Sequence, residues 1–290
     1  MFSIVIPAYD EELAIGKVVA DIRDTLDKEG ITGIEIIVVD DGSTDDTAAE
    51  AKAAGAQVIR NKQNIGYGFS LKQGIKAAKH DTIVITDADD TYPVDKIPEL
   101  VERYKEGFNM VVGARSGPHY RESLIKSPLR YIFKMLVEFT VGRRVEDVNS
   151  GLRVFSKSEV TPFFPRLSNK FSFTTSQTLA YMLNMKFVHY VPIDYKKRVG
   201  KTKIRLFRDS LGAMQMICSA IIYFNPLKLF IILCAGTGLL GVGAFLVGLW
   251  WRWSGAIVLG FVSFLATAIL LGLGLLADLI SQREDKIERT

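Results

Sequence analysis

The chain has 290 residues, a formal net charge of +4 and a mean hydropathy of +0.18. This length is enough for one or two domains with a large buried core. Because 23% of the residues are charged, the apolar surplus must be local, and it lies in the last quarter of the chain. The two cysteines, Cys218 and Cys234, lie in apolar stretches, which argues against a disulfide framework and favours a reducing compartment.

Short β-rich runs alternate with helical patterns over the first 115 residues. The predicted strands are 3–6, 35–39, 57–60, 82–86 and 110–112, and the predicted helices are 12–28, 45–54, 69–79 and 94–105. Alternation of this kind, with nearly continuous apolar strands, predicts an α/β fold. Its sheet should be largely parallel and covered by helices on both faces.

Acidic residues directly follow three of these strands, in segments 7–12, 40–45 and 86–90. Ligands of parallel α/β sheets bind beyond the carboxyl ends of the strands, so we expect these carboxylates to face a common site. So much negative charge in one place suggests a bound cation. Asp87 and Asp89 supply hard oxygen ligands that suit Mg²⁺ or Mn²⁺ bridging a diphosphate.

Two glycines in segment 64–68 open a predicted helix. Their spacing matches neither a dinucleotide-binding fingerprint nor a phosphate-binding loop with its lysine, which disfavours a dehydrogenase or an ATPase. Seven basic residues lie between positions 196 and 208 without an acidic one. This run contains a single aromatic residue, Phe207, and adjoins an apolar stretch, so it does not indicate a nucleic-acid partner.

Two apolar segments, 227–250 and 254–280, are each long enough to cross a bilayer. Lys228 and Asp278, both near segment ends, are the charges that they contain, and tryptophans cluster at the connection between them. The basic run before the first segment predicts an integral protein of the cytoplasmic membrane. The α/β domain and both termini should then be cytosolic.

The expected domain organisation follows these patterns. Residues 1–202 form a cytosolic catalytic domain, in which 121–141 is an interfacial helix or an ordinary core-facing one. Residues 203–225 form an amphipathic juxtamembrane helix. A transmembrane hairpin spans 226–281, and a cytosolic tail covers 282–290.

Four segments, taken in order, resemble the motifs of glycosyltransferase family 2. They are 6–12 (IPAYDEE), 39–45 (VDDGSTD), 64–68 (NIGYG) and 87–90 (DADD). Within the family the chain is most similar to the polyprenyl-phosphate (dolichyl-phosphate mannose or glucose) synthases, a likeness that segments 112–115, 148–153 and 195–203 share. The resemblance implies a GT-A type, Rossmann-like mixed sheet that is mostly parallel, followed by interfacial helices and a two-helix transmembrane hairpin.

The resemblance also implies roles for individual residues. The nucleotide sugar would be held by Pro7, Ala8, Tyr9, Glu11, Asp40, Asp41, Asp87 and Ala88, and the metal by Asp87 and Asp89. Asp89, Arg115 and Arg130 would be catalytic, and the acceptor phosphate would contact Arg115, Arg130, Arg198, Lys201 and Lys203. The chain departs from the family at Asp10, where asparagine is usual, and at Thr91. Lys126 or Lys134 could replace Arg130, because the likeness there is loose.

The chemistry of the accepting group distinguishes a hydroxyl from a phosphate. Members that glycosylate hydroxyls carry an acidic base near the helix that begins here at Phe173, but no acidic residue lies between Glu159 and Asp194. An alcohol needs such a base, whereas a phosphate monoester is already an anion at neutral pH. The basic run would attract that phosphate, although attraction to anionic headgroups could be its only role.

We therefore expect inverting transfer of a hexose from a nucleoside-diphosphate sugar to polyprenyl (undecaprenyl or dolichyl) phosphate. UDP-glucose, UDP-GlcNAc and GDP-mannose all remain open as donors, as does a homo-oligomeric state. The alternatives are transfer to a lipid hydroxyl and a catalytically inactive membrane scaffold.

Overall fold

The structure is a computed structural model that describes residues 1–117, 126–197, 215 and 226–287, without the side chains of 126–133 and 281–287. It divides into two compact units, Met1–Ala213 and Met214–Thr290. The division falls inside the predicted juxtamembrane helix 203–225, most of which lies outside the described residues. The domain boundaries expected from the sequence therefore stay a prediction.

The first unit is built on one seven-stranded sheet with the strand order β3-β2-β1-β4-β6-β5-β7. β6 is antiparallel to its neighbours β4 and β5, and the other strand pairs are parallel. The strands are β1 Ser3–Ala8, β2 Glu35–Asp40, β3 Gln57–Arg60, β4 Thr82–Ile85, β5 Met110–Ser116, β6 Arg153–Ser156 and β7 Val188–Asp194.

Helices connect the strands and complete the layers. They are α1 Ile15–Lys28, α2 Thr47–Ala53, α3 Tyr67–Ala77, α4 Ile97–Lys105, α5 Lys126–Val141, α6 Lys157–Val160 and α7 Phe173–Leu183. Short 3₁₀ turns occupy Val94–Lys96 and Thr161–Phe163. The predicted α/β fold with a mixed, mostly parallel sheet is confirmed, and the five predicted strands are all present.

Two strands, β6 and β7, are additional to those predicted. β6 begins at Arg153, which is fully buried. A charged residue at the start of so short a strand obscures the apolar pattern by which a strand is recognised in the sequence. β7 lies at the sheet edge, contains Pro192 and is only partly buried. Proline has no backbone N–H to donate to a neighbouring strand, and it is therefore tolerated on edge strands. An edge strand that is partly exposed also lacks the continuous apolar pattern of a central strand.

Both faces of the sheet are covered, as nearly continuous apolar strands require. Within β1, Ile4 and Ile6 belong to the core beneath α1 and α4, and Val5 belongs to the core beneath α3 and α7. Helix α3 approaches the sheet closely because it presents Gly74. A Cβ at this position would lie 2.4 Å from Val5 Cγ1 and 3.0 Å from Val39 Cγ2.

At β1 the chain changes the direction in which it adds strands across the sheet. The first crossovers build outward from β1 to β2 and β3, whereas α3 returns the chain to β4 on the other side of β1. The loops that follow β1, β2 and β4 therefore surround one crevice. Such a switch point is where open α/β sheets bind their ligands.

The second unit contains two long helices, α8 Pro226–Trp250 and α9 Ser254–Ile287. The most apolar stretches of these helices, within Pro226–Trp250 and Ser254–Ile280, have mean hydropathies of 2.3 and 2.5. Only 6% and 11% of these stretches, respectively, are buried inside the protein. Core helices of a soluble domain would be covered by protein. Helices this apolar and this exposed need a lipid solvent, so the chain is a membrane protein.

Gly74 provides a test of the close contact between α3 and the sheet. Gly74→Ala should lower thermal stability, because overpacking costs about 1–3 kcal/mol and outweighs the gain of about 1 kcal/mol in helix propensity. Gly16→Ala in α1 is the matched control, since its Cβ would meet only Glu50, at 3.4 Å. Unfolding midpoints from circular dichroism should fall for Gly74→Ala alone, and equal midpoints would contradict this packing.

Candidate active site

The residues expected from the sequence converge on the carboxyl edge of the sheet. Pro7 and Ala8 end β1, Asp40 ends β2, and Arg115 is the penultimate residue of β5. The loops that follow these strands and β4 carry Tyr9, Glu11, Asp41, Asp87, Ala88 and Asp89. The structure thus brings the described members of the predicted site to one edge.

The loops after β1 and β2 are joined by hydrogen bonds. The backbone N–H of Asp10 donates to Ser43 Oγ at 2.9 Å, and Asp10 Oδ1 accepts from the backbone N–H of Thr44 at 2.9 Å. Asp10 has φ +47°, a conformation that both asparagine and aspartate tolerate, so the asparagine that the resemblance implies at this position and the aspartate found here suit the same backbone. The backbone N–H of Glu11 donates to Thr47 Oγ1 at 2.7 Å. The two loops therefore form one connected rim.

Asp40 is fully buried at the end of β2. Its Oδ1 accepts from the backbone N–H of Ser43 at 2.9 Å, and its Oδ2 lies 3.1 Å from Arg60 Nε. Arg60 also donates to the carbonyl of Ser43 at 2.9 Å. A shallow pocket opens beside this group, lined by Gly42, Ser43, Thr44, Arg60, Asn61 and Lys62.

Asp41 is buried, and its hydrogen bonds point toward the glycine-containing segment. Its Oδ1 accepts from Asn61 Nδ2 at 2.8 Å, and its Oδ2 accepts from the backbone N–H of Gly66 at 2.8 Å. The sequence grouped Asp41 with the nucleotide ligands. In the structure its carboxylate anchors the loop that precedes α3.

Segment 64–68 owes its two glycines to close backbone contact with residues 168–170. Gly66 has φ +129°, and a Cβ there would lie 2.6 Å from the carbonyl oxygen of Asn169. At Gly68 a Cβ would lie 2.2 Å from the carbonyl oxygen of Ser168. Lys72 reinforces the contact by donating to the carbonyl of Leu167 and to Asn169 Oδ1, both at 2.6 Å. The motif therefore fixes the start of α3.

Asp87 and Asp89 follow β4 at the switch point. Asp89 is buried, and its Oδ1 accepts from Thr91 Oγ1 at 2.6 Å. Asp87 Oδ1 accepts from the Tyr67 hydroxyl at 2.8 Å. Burial first, and then the charge of Asp87, raises the pKa of Tyr67 well above its usual value, so this hydroxyl remains a donor.

Arg115 is held by a carboxylate that the sequence had not indicated. Its Nε donates to Asp147 Oδ2 at 2.7 Å and its Nη2 donates to Asp147 Oδ1 at 2.9 Å. The guanidinium carbon lies 5.5 Å from the ring centre of Tyr195. Burial acts to raise the pKa of Asp147, but the charge and hydrogen bonds of Arg115 lower that pKa below its ordinary value.

Two tyrosines connect the acidic side of the site to Arg115. Tyr92 and Tyr195 meet edge to face with ring centres 5.4 Å apart. Burial is the main cause that raises the pKa of Tyr195, and Asp89 and Arg115 are both close enough to influence it. The backbone N–H of Lys196 donates to the carbonyl of Thr91 at 2.9 Å, so the basic run begins beside the acidic loop.

The donor set of Asp87 and Asp89 fits a divalent cation. Among the residues that the structure describes, no group of three or more histidine, cysteine or acidic side chains could hold a metal by itself. Mg²⁺ is commonly bound by one or two carboxylates, with water and substrate phosphates completing its octahedron. A two-carboxylate site next to a diphosphate is therefore chemically consistent with Mg²⁺ or Mn²⁺.

Several predicted acceptor ligands cannot be placed. The side chain of Arg130, on α5, and the residues Arg198, Lys201 and Lys203 lie outside the described part of the chain. The same holds for the side chain of Lys126, one of the two alternatives to Arg130. Lys134, the other alternative, is half-exposed and lies 3.8 Å from Glu138 Oε1.

The chain belongs to glycosyl transferase family 2, whose model matches residues 3–163, more than half of the sequence. It is similar to a dolichyl-phosphate hexose transferase of Haloferax volcanii, with 30% identity over 71% of this chain and 87% of that protein. It is also similar to an undecaprenyl-phosphate 4-deoxy-4-formamido-L-arabinose transferase of Shewanella sediminis, with 26% identity over 97% of this chain and 87% of that protein.

Solved structures of glucosyl-3-phosphoglycerate synthase from Mycobacterium tuberculosis share the fold. A complex with Mg²⁺ and UDP has a TM-score of 0.61 and 24% identity, and it covers 76% of this chain and 79% of that one. A complex with Mn²⁺, UDP-glucose and phosphoglyceric acid has a TM-score of 0.61, 23% identity and the same coverage. The expected GT-A type fold and the family expected from the motifs are thus confirmed, and the protein is a glycosyltransferase.

Asp147→Asn tests the ion pair that holds Arg115. The substitution should lower the unfolding free energy by about 3 kcal/mol, because it leaves a largely buried guanidinium without its counter-charge. Since the folded pKa of Asp147 is lowered, its contribution is present above pH of about 4 and is lost as the pH falls further. The stability difference between wild type and variant should shrink below that pH. A difference that is constant with pH would contradict the ionised pair.

Proposed function

We propose that this glycosyltransferase moves a hexose from a UDP- or GDP-linked sugar to polyprenyl phosphate, with inversion at the anomeric carbon. The main support for the proposal is that acidic and basic side chains lie at the same edge of the sheet. Asp87 and Asp89 stand at the switch point, and Arg115 stands across Tyr92 and Tyr195 from them. An acidic side suits a metal-bound diphosphate donor, and a basic side suits an anionic acceptor.

The relatives support this acceptor. The Haloferax and Shewanella proteins are transferases that are named for dolichyl phosphate and undecaprenyl phosphate. The absence of acidic residues between Glu159 and Asp194 supports it as well, since it leaves α7 without a general base. Thr175, in the first turn of α7, donates instead to Asn149 Oδ1. A phosphate oxygen is already a nucleophile and needs no base in this position.

The donor would lie along the rim formed by the loops after β1 and β2. Pro7, Ala8, Tyr9 and Glu11 would face the base and ribose together with Asp40, whose burial and contact with Arg60 fix its direction. The diphosphate would extend from there toward Asp87, Ala88 and Asp89. Asp41 supports this rim indirectly, because it anchors the loop before α3.

In the proposed reaction an acceptor phosphate oxygen attacks the anomeric carbon from the face opposite the leaving group. The new bond joins that oxygen to the anomeric carbon, and the bond to the departing diphosphate oxygen breaks. Arg115, with Arg130 and the run 196–208, would hold the acceptor phosphate in line. A divalent cation bound by Asp87 and Asp89 would neutralise charge on the diphosphate.

The membrane unit would deliver the acceptor. A polyprenyl phosphate keeps its chain in the bilayer and its phosphate at the surface, where residues 196–208 carry seven positive charges next to the first apolar helix. We propose that the catalytic unit and both termini are cytosolic, because basic residues flank the hairpin on that side. Nucleotide sugars are then available to the rim.

Asp89→Ala tests the donor side. It should abolish sugar transfer while leaving membrane insertion intact, because it removes one of the two proposed cation ligands. Asp90→Asn is the matched control: Asp90 contacts Lys17 at 2.8 Å, and asparagine tolerates its φ of +57°. Turnover is measured with labelled UDP-glucose, UDP-GlcNAc and GDP-mannose, with polyprenyl phosphate and Mn²⁺ or Mg²⁺.

The product distinguishes the alternatives. A mild-acid-labile lipid-phosphate sugar supports the proposal, whereas an alkali-stable glycolipid indicates transfer to a hydroxyl. Activity that survives Asp89→Ala, or full activity in excess chelator, removes the cation from the proposal. Wild-type protein that binds a nucleotide sugar yet transfers nothing to any lipid would be an inactive scaffold.

A further inference from the structure

Tyr67 connects the glycine-containing segment to the acidic loop after β4. It is the first residue of α3, and its hydroxyl donates to Asp87 Oδ1 at 2.8 Å across 20 positions of sequence. The tyrosine is itself held in place. Its ring packs on Phe171 with ring centres 5.7 Å apart, and the flanking glycines lie against the backbone of residues 168–170.

A second contact confines the same carboxylate. The backbone of Gly151 comes so close that a Cβ there would lie 2.8 Å from both oxygens of Asp87. Gly151 is fixed in turn, because its backbone N–H donates to the Tyr92 hydroxyl at 2.6 Å. Asp87 is therefore held by a donor from α3 and bounded by the backbone that leads into β6.

Asp89 is oriented differently. Thr91, two residues further along the same loop, donates to it from both its backbone N–H and its hydroxyl. Thr91 thus helps to orient Asp89 from within the same loop, whereas Tyr67 acts on Asp87 from another element. Since Mg²⁺ and Mn²⁺ sites demand near-ideal octahedral geometry, the direction of each carboxylate matters for cation affinity.

We infer that Tyr67 is a positioning residue, whose hydroxyl holds the Asp87 carboxylate in the orientation that receives the divalent cation. This inference rests on the proposed function. Partners that orient a metal-binding carboxylate typically contribute 10–100-fold to metal affinity or activity. Tyr67 also makes the cation site depend on how α3 packs against residues 168–171.

Tyr67→Phe tests the inference, because it removes the hydroxyl and keeps the ring that packs on Phe171. Binding of Mn²⁺ to the purified full-length protein is followed by electron paramagnetic resonance in the presence of UDP and, separately, GDP. The dissociation constant for Mn²⁺ should rise about 10–100-fold. Tyr190→Phe is the matched control, since the buried Tyr190 hydroxyl has no hydrogen-bond partner in the described part of the chain.

Turnover provides a second readout. Excess Mn²⁺ should restore the rate of Tyr67→Phe, because the ligand is still present, but it should not restore Asp87→Ala. An unchanged Mn²⁺ affinity in Tyr67→Phe would overturn the inference even if its unfolding temperature fell, because that result describes a purely structural hydrogen bond. Failure of the proposed function looks different: wild-type protein itself then fails to bind Mn²⁺ with either nucleotide or to transfer sugar, and the inference falls with it.

Discussion

The site depends on holding several carboxylates close together at one edge of a sheet. β1 lies between β2 and β4, so the acidic loops that follow these strands meet at the switch point. Like charges gathered at one edge of a sheet repel each other unless donors or a cation compensate them. The structure supplies donors to Asp40, Asp41, Asp87 and Asp89 from backbone N–H groups, hydroxyls and an amide, and Asp40 also forms an ion pair with Arg60. Contacts within the protein thus shape the rim.

The same principle organises the other half of the edge. Arg115 is paired in bidentate fashion with the buried Asp147 and packs on Tyr195, so its position is set by protein contacts. An arginine held on one side and directed by its partner is well suited to an anionic acceptor, because less side-chain entropy is lost on binding.

Much of this could be predicted from the sequence, and the omissions have physical causes. The central strands are buried on both faces and read as apolar runs, whereas β6 starts with the buried Arg153 and β7 is an edge strand with Pro192. The acidic loops were evident because each follows a strand directly. Asp147, Tyr67 and Gly151 act through contacts between distant segments, which spacing does not reveal. Tyr67 and Gly151 lay inside recognised motifs, but only the fold shows that both meet Asp87.

Binding of the sugar donor should depend on a cation held by the acidic edge of the sheet. The most direct measurement is the dissociation constant of nucleotide sugar for the purified wild-type protein, by calorimetry, first with Mn²⁺ and then with excess chelator. We expect tight binding of one of the three donors with Mn²⁺ and a loss of at least about tenfold in chelator, since even losing a group that orients a metal ligand typically costs about 10–100-fold. Equal affinity under both conditions, or no binding of any donor, would contradict this dependence on a cation.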